Sequence, residues 1–214
     1  HMMADILRAA GYLTGTIGTN GAIMPAGCDH AVWGSDKYSC APCNETPGYD
    51  CYELNNTTPD PMELQMYLAM MVKAGCTHVV LEVSSQGMKQ KRVATVDFAY
   101  AVWTNIETGD HIGPNEHKDF EDYKRCKGIL FTQCRLGIAN VDDQWYEDVF
   151  QNATCKVETF GFSEKADLRA TNVQHVSRPG YLGVNYHVSG LMDFDVEIDI
   201  PGEFSVYNSL TAIA

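Results

Sequence analysis

Lys127 stands where an apolar side chain is expected. Read with a helical period, Phe120, Tyr123, Leu130, Phe131 and Cys134 form one apolar stripe, and Lys127 falls inside it. An ammonium in that position loses hydration, which moves its pKa toward neutrality and frees a nucleophilic amine. A neutral amine can take up carbon dioxide, and the resulting carbamate is an anionic, two-oxygen ligand for a hard cation. A stem that snorkels to solvent is the ordinary alternative. The neighbours favour the first reading. Asp110 and His111 lie on a loop just before this helix. Upstream, Val80-Leu81-Glu82-Val83-Ser84-Ser85 puts Glu82 and Ser84 on one face at a strand's end, since strand side chains alternate. Carboxylate, imidazole and carbamate together make a ligand set for Mg²⁺ bound to phosphates. Singly, Glu82 reads as an N-cap partner and His111 as a loop hydrogen-bonder; only the combination points to chemistry.

Those residues need a scaffold, and the hydrophobic pattern alternates strands with helices. A helix over residues 4–11 ends at Gly11, and a strand follows over Thr14–Thr19. Residues 20–56, rich in Gly, Pro, Cys and Asn, read as a long loop or small subdomain. A second helix opens at Asp60-Pro61-Met62-Glu63, with Asp60 as N-cap and Glu63 completing a capping box. Its apolar face is Leu64, Leu68, Met71 and Val72, and Gly75 stops it. The runs Val79–Leu81, Phe98–Trp103 and Leu136–Val141 read as buried parallel strands. Beyond residue 166 the period changes to alternation over Ala170–Val176, Tyr181–Val188 and Phe194–Ile200, the pattern of an antiparallel meander. A last helix covers Ser205–Ala214. In open α/β sheets ligands collect beyond the carboxyl ends of strands. Glu82, Thr104-Asn105 and Asn140-Val141-Asp142-Asp143 all fall there.

With 28 acidic against 15 basic residues, the net charge of −13 argues against a nucleic-acid partner. An anionic substrate would need divalent cations between itself and the protein. No apolar run is long enough for a bilayer and no secretory leader is visible, so a soluble cytoplasmic protein is expected. Cys76, Cys126, Cys134 and Cys155 fall in apolar segments and read as small buried hydrophobes. Cys28, Cys40, Cys43 and Cys51 crowd one irregular stretch, where a structural zinc or free thiols are the alternatives. His1-Met2-Met3 reads as a vector scar and start methionine. Residues 4–214 then form one domain cut through regular structure at both ends, with the cysteine-rich insertion at about residues 20–56.

Five segments occur together and in order: Asn56-Thr57-Thr58-Pro59; Glu82-Val83-Ser84-Ser85-Gln86-Gly87 with Gln90 and Arg92; Thr104-Asn105 to Asp110-His111; Tyr123 with Lys127; and Ile200-Pro201-Gly202 to Val206-Tyr207-Asn208. This set resembles the Mur ligase family, most closely the branch that adds the third amino acid. The resemblance implies a P-loop-NTPase-like, mostly parallel sheet flanked by helices, with a small C-terminal antiparallel meander. It implies a central ATP-binding domain that uses ATP to activate the carboxylate of UDP-N-acetylmuramoyl-L-Ala-D-Glu as an acyl phosphate, which a free amino acid then attacks. It also implies residue roles. Lys127 matches the carbamylated lysine, and Glu82 and His111 match magnesium ligands. Thr57, Thr58, Ser84, Gln90 and Arg92 match positions that hold the UDP-muramyl dipeptide, and Asn208 matches the residue that meets the adenine.

The departures are informative. The family's Gly-Lys-Thr phosphate loop is expected upstream of the first helix; Gly18-Thr19-Asn20-Gly21 imitates its first half but continues into Ala22-Ile23 and reads as a decoy. The chain by itself is therefore expected to be inactive and to bind ATP weakly. Ser205 stands where the family often has a first asparagine, and the role of His117 is open. The alternatives are another ligase of the superfamily, of folylpolyglutamate or cyanophycin synthetase type, or a non-catalytic nucleotide- or zinc-binding module.

Overall fold

The computed structural model describes residues 1–27, 46–109 and 111–214, which form two units, His1–Thr95 and Val96–Ala214. The first unit runs α1 (Met2–Ala9), β1 (Thr14–Gly18), β2 (Gly21–Pro25), β3 (Tyr49–Tyr52), α2 (Pro61–Lys73), β4 (His78–Leu81) and α3 (Ser85–Lys89). Its sheet has the order β3-β2-β1-β4, antiparallel except for the parallel β1–β4 pair. Thr14 pairs with His78 and Ile17 with Leu81, so the residue after β4 lies beside the turn that ends β1. That register sets Glu82 against Thr19.

Two expectations for this unit are corrected. The described ends of the 20–56 stretch are strands, in which Ala22, Ile23, Met24, Cys51 and Tyr52 are buried. Ala22-Ile23-Met24 is too short a run to stand out among Gly, Pro and Asn, and becomes a strand by pairing with β1. Gly18-Thr19-Asn20-Gly21 is the hairpin turn between them. Gly21 has φ +101°, and a Cβ there would meet the Tyr52 carbonyl oxygen at 2.5 Å, so only glycine fits. The second correction concerns α2, which starts at Asp60-Pro61 but lacks the capping box. The Asp60 side chain caps nothing and pairs with Arg92 at 3.2 Å. Leu64, Tyr67 and Met71 carry the buried face, each worth about 1.5–3 kcal/mol, while Val72 is exposed.

The second unit holds β5 (Phe98–Trp103), α4 (Phe120–Gly128), a 3-10 turn (Ile129–Thr132), β6 (Cys134–Asn140), α5 (Tyr146–Phe150), β7 (Lys156–Gly161), β8 (Leu168–Arg178), β9 (Tyr181–Gly190), β10 (Phe194–Ile198) and α6 (Glu203–Ile213). These strands form one sheet in the order β10-β9-β8-β7-β6-β5, parallel from β5 to β8 and antiparallel from β8 to β10. The meander is thus continuous with the parallel strands. The link is β7, which the pattern of the sequence did not single out. Ile138, Phe160, Leu168, Val184 and Val188 bury against Val206 and Leu210 of α6. A second cluster joins Trp103, Tyr123, Phe131, Ala139 and Val149.

The apolar stripe around Lys127 is not one helix. Helix α4 stops at Gly128, Leu130 and Phe131 sit in the 3-10 turn, and Cys134 opens β6. The chain packs closely on α5 at this point: a Cβ at Gly128 would lie 2.6 Å from the Val149 carbonyl oxygen. Of the four cysteines expected in the core, only Cys126 is buried; Cys76, Cys134 and Cys155 are partly exposed. Burial and a hydrogen bond with Cys155 push the Cys134 thiol up to about 12. Among the described residues, no helix is long and apolar enough to cross a membrane.

Candidate functional site

In the first unit, polar residues from four segments gather at the carboxyl end of β4. Thr19 donates to the Glu82 carboxylate twice, from its backbone N–H at 3.0 Å and its hydroxyl at 3.1 Å, and its hydroxyl lies 3.1 Å from that of Thr57. Thr58 is fully buried. Its hydroxyl donates to the Glu82 carbonyl at 2.9 Å and accepts from the Ser84 backbone N–H at 2.8 Å. Ser84 caps α3, accepting from the Gly87 N–H at 3.0 Å. Arg92 donates to the Thr58 carbonyl at 2.8 Å and to Gln90 at 2.9 Å. The structure therefore brings together Thr57, Thr58, Glu82, Ser84, Gln90 and Arg92. Among them the Thr58 and Ser84 hydroxyls are committed to the backbone, whereas Glu82 and Gln90 are exposed.

The sequence motif did not reveal Thr19. It lay in a segment read as an imitation of a phosphate loop, yet its two donors orient the carboxylate of Glu82. The β1–β4 register is the signal that finds it, and a single sequence does not carry register.

In the second unit, His111 and Lys127 flank Tyr123. His111 has φ +56°, a left-handed conformation uncommon outside glycine. Its carbonyl accepts from the His117 N–H at 3.0 Å, which closes the loop and holds that conformation. The exposed His111 ring stands 3.7 Å from Glu116 and edge-on to Tyr123 at 5.5 Å. Lys127 is half-buried, its Nζ 5.8 Å from the Tyr123 ring centroid. The deeply buried lysine of α4 is instead Lys124, whose Nζ meets Asp148 at 2.5 Å and Glu121 at 2.9 Å. Burial alone would lower its pKa, but the two carboxylates outweigh burial and raise it. Desolvation of the kind expected at Lys127 thus falls on its neighbour.

His117 is fully buried, with Nδ1 3.3 Å from Asp122 and its ring 5.1 Å from that of Tyr123. Beyond β6, Asp142 accepts from the N–H groups of Phe162 at 2.5 Å and Ser163 at 3.1 Å, and from the Tyr207 hydroxyl at 3.0 Å. Burial, then the Asp142 charge, pushes the Tyr207 phenol well above its usual range. This anchors α6, on which Asn208 is exposed while Ser205 is buried and bonded to the Pro201 carbonyl at 2.9 Å. Glu82 belongs to the first unit, and His111, Lys127 and Asn208 to the second. Of the cysteine cluster, Cys28, Cys40 and Cys43 lie outside the described residues, as does Asp110. Cys51 is disulfide-bonded, so its sulfur has no thiolate to offer a metal.

The family model of the Mur ligase middle domain matches residues 1–214. Two UDP-N-acetylmuramoyl-L-alanyl-D-glutamate–2,6-diaminopimelate ligases of Clostridium acetobutylicum are similar in sequence. One is 33% identical over 213 residues and the other 35% over 214, covering 100% of this chain and 39% and 38% of their own lengths. The ligase of the same name from Bacillus cereus is 32% identical over 224 residues, which span 100% of this chain and 40% of the relative. The chain therefore spans about two fifths of the curated relatives it matches. A solved structure of a ligase with this name superposes with a TM-score of 0.73 at 22% identity, over 99% of this chain and 39% of that one. MurF from Acinetobacter baumannii gives 0.56 at 19% identity, over 71% of this chain and 33% of its own. The family model runs the length of the chain, and the chain belongs to the Mur ligase family as a middle domain.

Proposed function

We propose that the protein containing this chain is an ATP-dependent carboxylate–amine ligase of peptidoglycan precursor synthesis. It adds the third amino acid to UDP-N-acetylmuramoyl-L-Ala-D-Glu in the cytoplasm. The incoming amino acid to test first is 2,6-diaminopimelate, which the relatives' names specify. The observation that carries this reading is the convergence of Thr57, Thr58, Glu82, Ser84, Gln90 and Arg92 at the end of β4, from segments far apart in the chain.

In this reading the substrate carboxylate attacks the γ-phosphorus of ATP, ADP leaves, and the amine then displaces phosphate from the acyl phosphate. Magnesium, when bound, neutralises the phosphate oxygens. Glu82 in the first unit would offer it an exposed carboxylate, and in the second His111 would offer an exposed imidazole and Lys127, once carbamylated, two oxygens. Thr19 holds the Glu82 carboxylate in one orientation before any ligand arrives. Thr57, Gln90 and Arg92 would supply donors to the UDP-muramyl dipeptide, while Thr58 and Ser84 fix the backbone that carries them. Asn208 meets the adenine from α6. Of the structural zinc expected through Cys28, Cys40, Cys43 and Cys51, the Cys51 sulfur is excluded by its disulfide, and metal analysis of the purified protein tests what is left of that reading.

The test of the ligase reading is phosphate release by the full-length enzyme. Release should require ATP, Mg²⁺, the UDP-muramyl dipeptide and the amino acid together, and should be lost in Glu82→Ala. Release that is independent of the muramyl substrate would overturn the assignment.

A further inference from the structure

His117, Asp122 and Cys126 form a buried cluster that the proposed reaction does not use. One ring nitrogen of His117, one carboxylate oxygen of Asp122 and the Cys126 sulfur all lie within 4.8 Å of one another. His117 and Cys126 are fully buried and Asp122 nearly so. Asp122 and Cys126 stand four residues apart on α4 and so share a face of the helix. His117 comes from the preceding loop, whose backbone is closed by the His117 N–H to the His111 carbonyl and the Gly113 N–H to the His117 carbonyl. The Asp122 carboxylate lies between the other two groups, its Oδ2 3.3 Å from His117 Nδ1 and its Oδ1 3.9 Å from Cys126 Sγ, separations that side-chain torsions can bring to the roughly 3.3–3.5 Å edges of a tetrahedral zinc site.

We propose that His117, Asp122 and Cys126 are a binding site for a zinc-like transition-metal ion. A nitrogen, an oxygen and a thiolate favour Zn²⁺ or Co²⁺ over Mg²⁺, because thiolate is a poor ligand for a hard cation. Binding releases the Cys126 thiol proton and leaves a fourth position for water. Among the described residues, Arg125 is a cation that already touches the site, reaching Asp122 at 2.5 Å. Its side chain is 62% exposed, so the guanidinium can retreat to solvent when the ion takes the carboxylate. The ion would clasp the loop of residues 111–117 to α4. It would thereby fix His111 relative to Lys127, a consequence that rests on the ligase reading, whereas the site itself does not.

Cobalt binding to the metal-stripped, purified protein tests the site without recourse to activity. About one equivalent of Co²⁺ should bring up a thiolate-to-cobalt charge-transfer band. The band should vanish in Cys126→Ser, a near-isosteric change, and in His117→Ala, but persist when Cys28, Cys40 and Cys43 are all serine. Arg125→Ala, at an exposed position, should tighten cobalt binding about tenfold by removing the competing cation. A band that is absent, or that survives Cys126→Ser, overturns the proposal. Affinity unchanged by Arg125→Ala removes Asp122 from the ligand set and overturns it too.

Discussion

The two polar clusters are held by different means. At the end of β4, neutral hydroxyls interlock with backbone: Thr58 is sealed from solvent and bonded to the Glu82 carbonyl and the Ser84 N–H. Along α4, charges pair across the rim, Lys124 with Asp148 and Glu121, and Arg125 with Asp122. The partners Glu121 and Asp148 are 80% and 49% exposed, so water competes for each of these pairs. Directional bonds to buried backbone fix atoms in place and are costly to break. Exposed charges set a field at little cost in stability. The first cluster therefore governs folding, while the second is expected to show its value in chemistry.

The sharpest test of that contrast is Lys127→Ala in the full-length enzyme. Turnover should fall by about a thousandfold or more with little change in stability, because the proposed anionic ligand of the phosphate site would be lost. Added short carboxylates should restore part of the rate by supplying ligand oxygens. Near-normal activity without them would take Lys127 out of the mechanism.

Thr58→Val keeps the shape of the side chain but strands the half-buried Ser84 N–H, at about 1–3 kcal/mol. Denaturant unfolding should show this as a lower midpoint with an unchanged slope. A loss below about 0.5 kcal/mol would mean that water replaces the hydroxyl and that the cluster is not rigid. Gly87→Ala probes the same cluster by volume, since a Cβ there would fall 2.9 Å from Thr58 Cβ. Overpacking at such a contact costs about 1–3 kcal/mol, read in the same titration.

Lys124→Met should cost about 1 kcal/mol or less despite the burial of the side chain. Methionine keeps the packing against Phe120 and Trp145, and the freed Asp148 and Glu121 rehydrate. A loss near that of Thr58→Val would erase the distinction between the two clusters.

The smallest expected effect is at His187 on β9. A hydrogen bond donated by its Nδ1–H to Asp195 at 2.8 Å, aided by the charge of Asp193, raises its pKa above 6.5. A raised folded-state pKa adds stability that is fully present below the unfolded value. That stability is lost as pH rises through the folded value, so the window lies upward of about 6.5. Melting temperatures of the protein and of His187→Gln should therefore converge between about pH 6 and about pH 8.5. A difference independent of pH would show that the imidazole contributes no charge.

The sequence by itself determined the alternation of strands and helices, the start of α2 at Asp60-Pro61, the meander and the family motifs. Each is written in local periodicity or in short fixed strings, which one chain displays without its neighbours in space. It did not show β7, a short strand mostly half-buried that is unremarkable until β6 and β8 pair with it on either side. Nor did it separate Thr58, which holds backbone in place, from Thr57 beside it. Only the tertiary structure decided where desolvation falls on α4. Helical spacing placed Lys127 in an apolar stripe, but α4 ends at Gly128 and the rest of the stripe lies in the 3-10 turn and β6. The buried position passes to Lys124, because burial depends on what packs against a helix face and periodicity marks only the face.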